Sequence, residues 1–116
     1  MVTAREKNLW ANRFRSCMVC GGDGDWRGLT VHHIERRSQV PTRHDHPCNF
    51  LKVCELCHAT KLAAMPHANQ LAFKMLADPA DYDLDAWLRL RDPECRAPNR
   101  VTQREVDTFI ELIQAA

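Results

Sequence analysis

The sequence predicts a small α+β domain in which a strand, a long loop, a second strand and a helix are stapled by cysteines. Two C-x-x-C pairs, β-type segments between them and apolar stripes at helical spacing downstream support this prediction. A chain of 116 residues fits one domain, and so small a core often needs a metal staple. We expect a single domain over 1–116, with a leading helix (1–16), a braced core (17–66) and a helical extension (67–116).

The first two elements follow from local composition. Residues 4–15 are good helix formers with Leu9, Trp10 and Phe14 at helical spacing, which predicts a short amphipathic helix. After a turn-rich stretch, the β-branched residues and partial alternation of residues 29–34 predict a strand.

The middle of the chain predicts a loop, a strand and a helix. Residues 35–48 are polar and contain two prolines, which is typical of a long functional loop. Residues 49–53 predict a second short strand, and the run ELCHATKLAAM predicts a helix that ends before Pro66. The second cysteine pair therefore lies at the start of this helix.

The remainder of the chain predicts three more helices. Apolar residues over 67–78 recur at helical spacing, and Asp83 can cap a short helix that follows. Thr102 and Glu105 form a T-x-x-E capping box ahead of a regular apolar stripe. These faces predict core packing, and their pattern does not decide whether they cover the braced unit or a partner.

The two C-x-x-C pairs predict one structural zinc ion. Cys17 and Cys20 form one pair, Cys54 and Cys57 form the other, and Gly21 allows a tight turn after the first. Four thiolates complete a tetrahedral zinc shell and leave no position for substrate, so the ion should stabilise the fold.

The remaining cysteine chemistry depends on the compartment. We expect a cytoplasmic protein with no membrane contact, because no secretory signal or bilayer-length apolar run occurs. Reducing conditions favour metal, with disulfides or a redox dithiol as alternatives. Cys48 and Cys95 are expected to be buried small hydrophobes, although a ligand swap by Cys48 stays open.

The distribution of charge indicates a polyanion partner more clearly than the net charge of +1 does. Residues 1–62 contain ten basic and six acidic side chains, whereas residues 63–116 contain six and nine. Arg36, Arg37 and Arg43 follow the pair of histidines in the first strand, and we predict that they contact nucleic-acid phosphates. For any single arginine, a solvated surface position is an equally good interpretation.

The pattern CMVC…LTVHHI…CNFLKVCELCHATK closely resembles the HNH endonuclease family. Members of that family carry a ββα-metal unit, often braced by a four-cysteine zinc in a treble-clef-like arrangement. The resemblance covers residues 17–65, under half of the chain.

The resemblance implies a role for each polar residue of the unit. It assigns the general base to His33, ligands of a catalytic divalent ion to His32 and His58, and the residue that fixes the loop and orients the base to Asn49. Where some members have a further ligand, this chain has Leu62, so the ion is not fixed and Mg²⁺, Mn²⁺, Ni²⁺ or Zn²⁺ would fit two imidazoles.

The function implied by the resemblance is metal-dependent hydrolysis of DNA that leaves 5′-phosphate and 3′-hydroxyl ends. We expect the protein to serve phage or bacterial DNA processing. Its small size suggests limited sequence specificity, either broad nicking or action through a protein partner such as a packaging or recombination complex. The alternative is a noncatalytic zinc-braced module that binds nucleic acid or protein. That alternative is disfavoured because degeneration would be expected to erase the base, yet His33 is present.

Overall fold

The computed structural model describes residues 3–24, 28–36 and 45–115. The regular elements are α1 (Ala4–Ala11), β1 (Leu29–His33), β2 (Phe50–Cys54), α2 (His67–Ala77), α3 (Leu84–Arg91) and α4 (Gln103–Ala115). Between β2 and α2, residues 55–64 form a helical segment that we call the site helix. It contains a π-helical turn, Cys57–Lys61, followed by a 3-10 turn, Leu62–Ala64.

The two strands form an antiparallel pair at the centre of the unit. Leu29 lies opposite Cys54, and His33 lies opposite Phe50. Both strands lie within one residue of their predicted positions, and the site helix follows as predicted. The α+β fold is confirmed, and its strands, helix and cysteine pairs are consistent with a small zinc-braced ββα unit.

Helix α1 is shorter than predicted, because the chain tightens after Ala11. The amides of Arg13 and Phe14 bond carbonyls three residues back, and the Lys52 ammonium donates to the Ala11 carbonyl at 2.5 Å. Trp10 is buried with its ring 5.2 Å from that of Phe50. Leu9 is 58% exposed, so its predicted place in the apolar stripe is wrong.

The C-terminal helices start at their predicted caps. Asp83 accepts a hydrogen bond from the Ala86 amide at 3.0 Å, and Thr102 accepts one from the Glu105 amide at 3.2 Å. These helices pack on the braced unit and share one core with it. The fully buried members of that core from both parts of the chain include Leu51, Val53, Leu71, Trp87 and Val106. No helix within the described residues is long and apolar enough to cross a membrane.

Candidate metal centre and active site

The four paired cysteines meet in one cluster. Their sulfur atoms all lie within 4.8 Å of one another, and the sulfurs of Cys20 and Cys54 are 3.8 Å apart. A tetrahedral zinc with bonds of about 2.3 Å requires sulfur separations of about 3.8 Å. The donor set therefore fits one zinc ion. Among the described residues, this is the one cluster of three or more cysteine, histidine or acidic side chains.

The first cysteine pair sits on a tight turn docked against β2. Gly21 adopts φ +77°, a conformation that a larger side chain would strain. The Cys17 amide bonds the Gly22 carbonyl at 2.7 Å, and the Met18 amide bonds the Lys52 carbonyl at 2.9 Å. The first cysteine pair is thereby held against β2. That strand ends at Cys54, the first cysteine of the second pair, and Cys57 follows in the site helix.

Local hydrogen bonds favour a thiolate at Cys17, whereas burial raises the pKa of Cys57 in the same cluster. Burial alone would raise the pKa of the Cys17 thiol, but hydrogen bonds from the amides of Cys20, Cys54 and Val19 lower it to about 7. A thiolate is the form that binds zinc.

The two remaining cysteines behave differently from each other. Burial raises the pKa of Cys48 to about 12, and its side chain is outside the cluster, as expected for a small hydrophobe. Cys95 is exposed with φ 52°, so the expectation that it is buried was wrong. Cys95 lies in a surface turn. The sequence around it has no regular apolar spacing, so it gave no basis for predicting burial.

The histidines of interest line one cleft of about 370 Å³ between β1, the site helix and the start of α2. His32 and His33 are adjacent strand residues and project to opposite faces of β1. The His32 ring lies 5.3 Å from the His58 ring, whereas the His33 ring lies 5.4 Å from the Phe50 ring. The pair is thereby divided between two environments, as two different roles require.

His32 is held by a glutamine that sequence analysis did not single out. Its Nε2 lies 2.8 Å from Oε1 of Gln70, whose amide nitrogen donates to the Met65 carbonyl at 2.9 Å. Because that donation turns Oε1 toward the ring, His32 donates from Nε2 and keeps its lone pair on Nδ1. Burial lowers the pKa of His32 to about 4, against the opposing effect of the Gln70 hydrogen bond. The ring is therefore neutral, the form that binds metal.

His33 contacts a carboxylate and a lysine. Its Nε2 lies 2.7 Å from Oδ1 of Asp45, and the Lys7 ammonium lies 3.1 Å from the same oxygen and 3.4 Å from Nε2. A neutral His33 that donates from Nε2 to Asp45 carries its lone pair on Nδ1. Lys7 arrives from α1, so three separate segments meet at this imidazole.

Asn49 fixes the chain immediately after β1. Its side-chain oxygen accepts from the Glu35 amide at 2.6 Å and from the Trp87 indole at 3.0 Å, and its amide nitrogen donates to the Glu35 carbonyl at 3.0 Å. The side chain is fully buried. Asn49 directly precedes β2 and bonds Glu35, which follows His33 by two residues, and Trp87 of α3. It therefore connects the end of β1 to β2 and α3.

One of the three arginines predicted to contact nucleic acid lies at the cleft. Arg36 is exposed and lines it. Arg37 and Arg43 lie outside the described residues. Within those residues, no third cysteine, histidine or acidic side chain completes a cluster with His32 and His58.

The structure is consistent with a zinc-braced ββα unit, because two paired strands are followed by a helix, four cysteines cluster, and histidines from strand and helix line one cleft. Residues 17–63, which are 47 of the 116, match the HNH endonuclease family, and the resemblance seen in the sequence is confirmed over this segment. No curated protein and no solved structure matches the chain. The family match supports a nuclease with DNA as its substrate.

Proposed function

We propose that this protein is a metal-dependent DNA endonuclease in which His33 is the general base and His32 and His58 hold the catalytic ion. The observation that supports this best is the family match over residues 17–63 on a unit whose cleft is lined by these three histidine residues. The zinc at the cysteine cluster would brace this unit and take no part in the reaction.

Asp45 sets the tautomer of the proposed base, His33. Asp45 accepts from Nε2 of His33, so Nδ1 is the nitrogen that receives the proton of the attacking water. The water oxygen bonds to phosphorus as the bond to the 3′ oxygen breaks, which leaves a 5′-phosphate and, after protonation of the leaving oxygen by solvent, a 3′-hydroxyl. Asp45 also stabilises the imidazolium that forms, and Lys7 keeps the carboxylate in place.

His32 and His58 fit a divalent ion by their separation, and His32 also by its neutral ring. Their ring centroids are 5.3 Å apart, a distance that one ion with nitrogen bonds of about 2.1 Å can span, and His32 is neutral. Mg²⁺, Mn²⁺, Ni²⁺ or Zn²⁺ would neutralise charge on the phosphate and stabilise the leaving oxygen when bound there. Gln70 would hold the ring of His32 in the orientation that presents Nδ1.

The test is nicking of supercoiled plasmid by purified protein with each of these ions. We expect the wild-type protein to nick, and His33→Ala to lose activity by about 100-fold or more because a general base contributes about that much. His46→Asn is the matched control, since His46 is exposed, lies outside the cleft and uses its side chain only as a cap acceptor that asparagine can replace.

The proposal fails if no ion supports nicking, or if His33→Ala and His46→Asn cut equally well. DNA binding without cutting would favour the noncatalytic zinc-braced module instead. A cytoplasmic setting, a role in phage or bacterial DNA processing and a packaging or recombination partner stay predictions.

A further inference from the structure

Glu35 is a buried carboxylate shared by two arginines from the helical extension. It is 1% exposed and follows the last residue of the β1 ladder by two positions. The Arg100 guanidinium lies 2.9 Å from its Oε2, and the Arg91 guanidinium lies 4.0 Å from its Oε1. One carboxylate therefore gathers two guanidinium groups from far along the chain.

These guanidinium groups remain accessible to solvent. The side chains of Arg91 and Arg100 are 43% and 30% exposed, and Arg36, next to Glu35, is also exposed. We call these three residues the arginine rim. Two of these positive groups pair with one buried carboxylate and the third follows it in sequence, so the rim carries more positive than negative charge.

Two other carboxylates near the rim bond groups outside it. Asp85 and Asp92 line a neighbouring cavity of about 340 Å³ together with Arg91 and Arg100. The Asp85 carboxylate accepts from the Arg89 guanidinium at 2.9 Å, and the Asp92 carboxylate accepts two backbone amides from the following turn, at 3.1 and 2.9 Å. Neither is hydrogen-bonded to the rim in these contacts.

The rim is continuous with the histidine cleft through Trp87. The Arg100 guanidinium lies over the indole at 5.0 Å, and the His67 ring meets it edge-on at 5.2 Å. His67 and Arg36 both line the cleft. Burial lowers the pKa of His67, Glu35 opposes this, and the positive charges of the three rim arginines lower it further, which agrees with their closeness.

We propose that the arginine rim binds the phosphate backbone of duplex DNA beside the cleft, so that the helical extension supplies part of the nucleic-acid interface. This rests on the proposed function. Guanidinium groups suit the role because they present several donors in a plane and bind phosphate in pairs of hydrogen bonds. Glu35 holds two of them side by side and lowers their mobility before DNA arrives.

The test measures affinity for a labelled DNA duplex across a series of salt concentrations, with zinc-loaded protein and no added catalytic ion. We expect Arg91→Ala and Arg36→Ala each to weaken binding about tenfold at 0.1 M salt and to lower the salt slope by about 1, as for one lost phosphate contact. Arg91→Lys should recover the salt slope but only part of the affinity, because the ammonium keeps the charge and lacks the paired donors of the guanidinium. Arg89→Ala is the matched control, because it removes the same charge from α3 outside the rim.

Glu35→Gln gives a change of opposite sign. The glutamine keeps a side-chain oxygen that can accept from Arg100, so removal of the negative charge should tighten DNA binding several-fold and steepen the salt slope, provided thermal denaturation shows that the variant is folded. Equal effects of Arg91→Ala and Arg89→Ala, or no effect of Arg91→Ala, would overturn the proposal. Because cutting is not measured, failure here leaves the nicking result standing, and absence of nicking leaves this result interpretable.

Discussion

The fully buried side-chain amide of Asn49 makes three hydrogen bonds. Its partners are the backbone amide and carbonyl of Glu35 and the indole of Trp87. Asn49→Ala would leave buried polar groups unpaired, so we expect a loss of roughly 3 kcal/mol in the free energy of unfolding. Urea denaturation measures it. Asn69→Ala is the control, because the Asn69 side-chain oxygen has no hydrogen-bond partner among the described residues. Similar losses for the two variants would contradict the role given to Asn49.

Asp45 orients His33 in our proposal without touching the substrate. We expect Asp45→Asn to lower kcat by at least about 10-fold, because the amide cannot stabilise the His33 imidazolium as the carboxylate does, while KM changes little. Steady-state nicking kinetics test this. Asp45→Glu should recover part of the rate, and unchanged kcat in Asp45→Asn would remove Asp45 from the mechanism.

Among the elements, α1 is joined to α2 by a buried charge network. The Asp78 carboxylate accepts from the Lys74 ammonium at 2.7 Å and from the Trp10 indole at 2.9 Å, and Lys74 is fully buried. Asp78→Ala leaves an uncompensated buried charge, so we expect a loss of about 3–5 kcal/mol by denaturant titration. The exposed pair between Arg13 and Asp81 serves as comparison, and Asp81→Ala should cost less than about 1 kcal/mol.

The elements that depend on local signals were predictable, and those that depend on tertiary contacts were not. The starts of α3 and α4 follow from Asp83 and Thr102, whose side chains bond amides three residues on. The early end of α1 depends on Lys52, which is distant in sequence. The roles of Asp45 and Gln70 were not predictable either, because no sequence spacing links these residues to the histidines that they contact.

At the scale of the whole molecule, we propose that residues 1–116 form one domain stabilised by zinc. We expect about one zinc per chain by elemental analysis, from the single four-thiolate cluster. Cys54→Ala should lose the zinc and much of the fold, since such a site contributes on the order of 10 kcal/mol. Cys48→Ala is the control, as a buried thiol outside the cluster. Folded wild-type protein that contains no zinc would contradict the structural site.

The contacts that shape the cleft join parts of the chain that are synthesised far apart. His32 depends on Gln70, Asn49 depends on Trp87, and the buried Glu35 pairs with Arg100. A nascent chain that has emerged only as far as the site helix has the four paired cysteines and His32, His33 and His58 but lacks these supports. On our proposal, the nascent protein would be inert toward DNA until synthesis has passed Arg100, and only then could it gain its cutting activity.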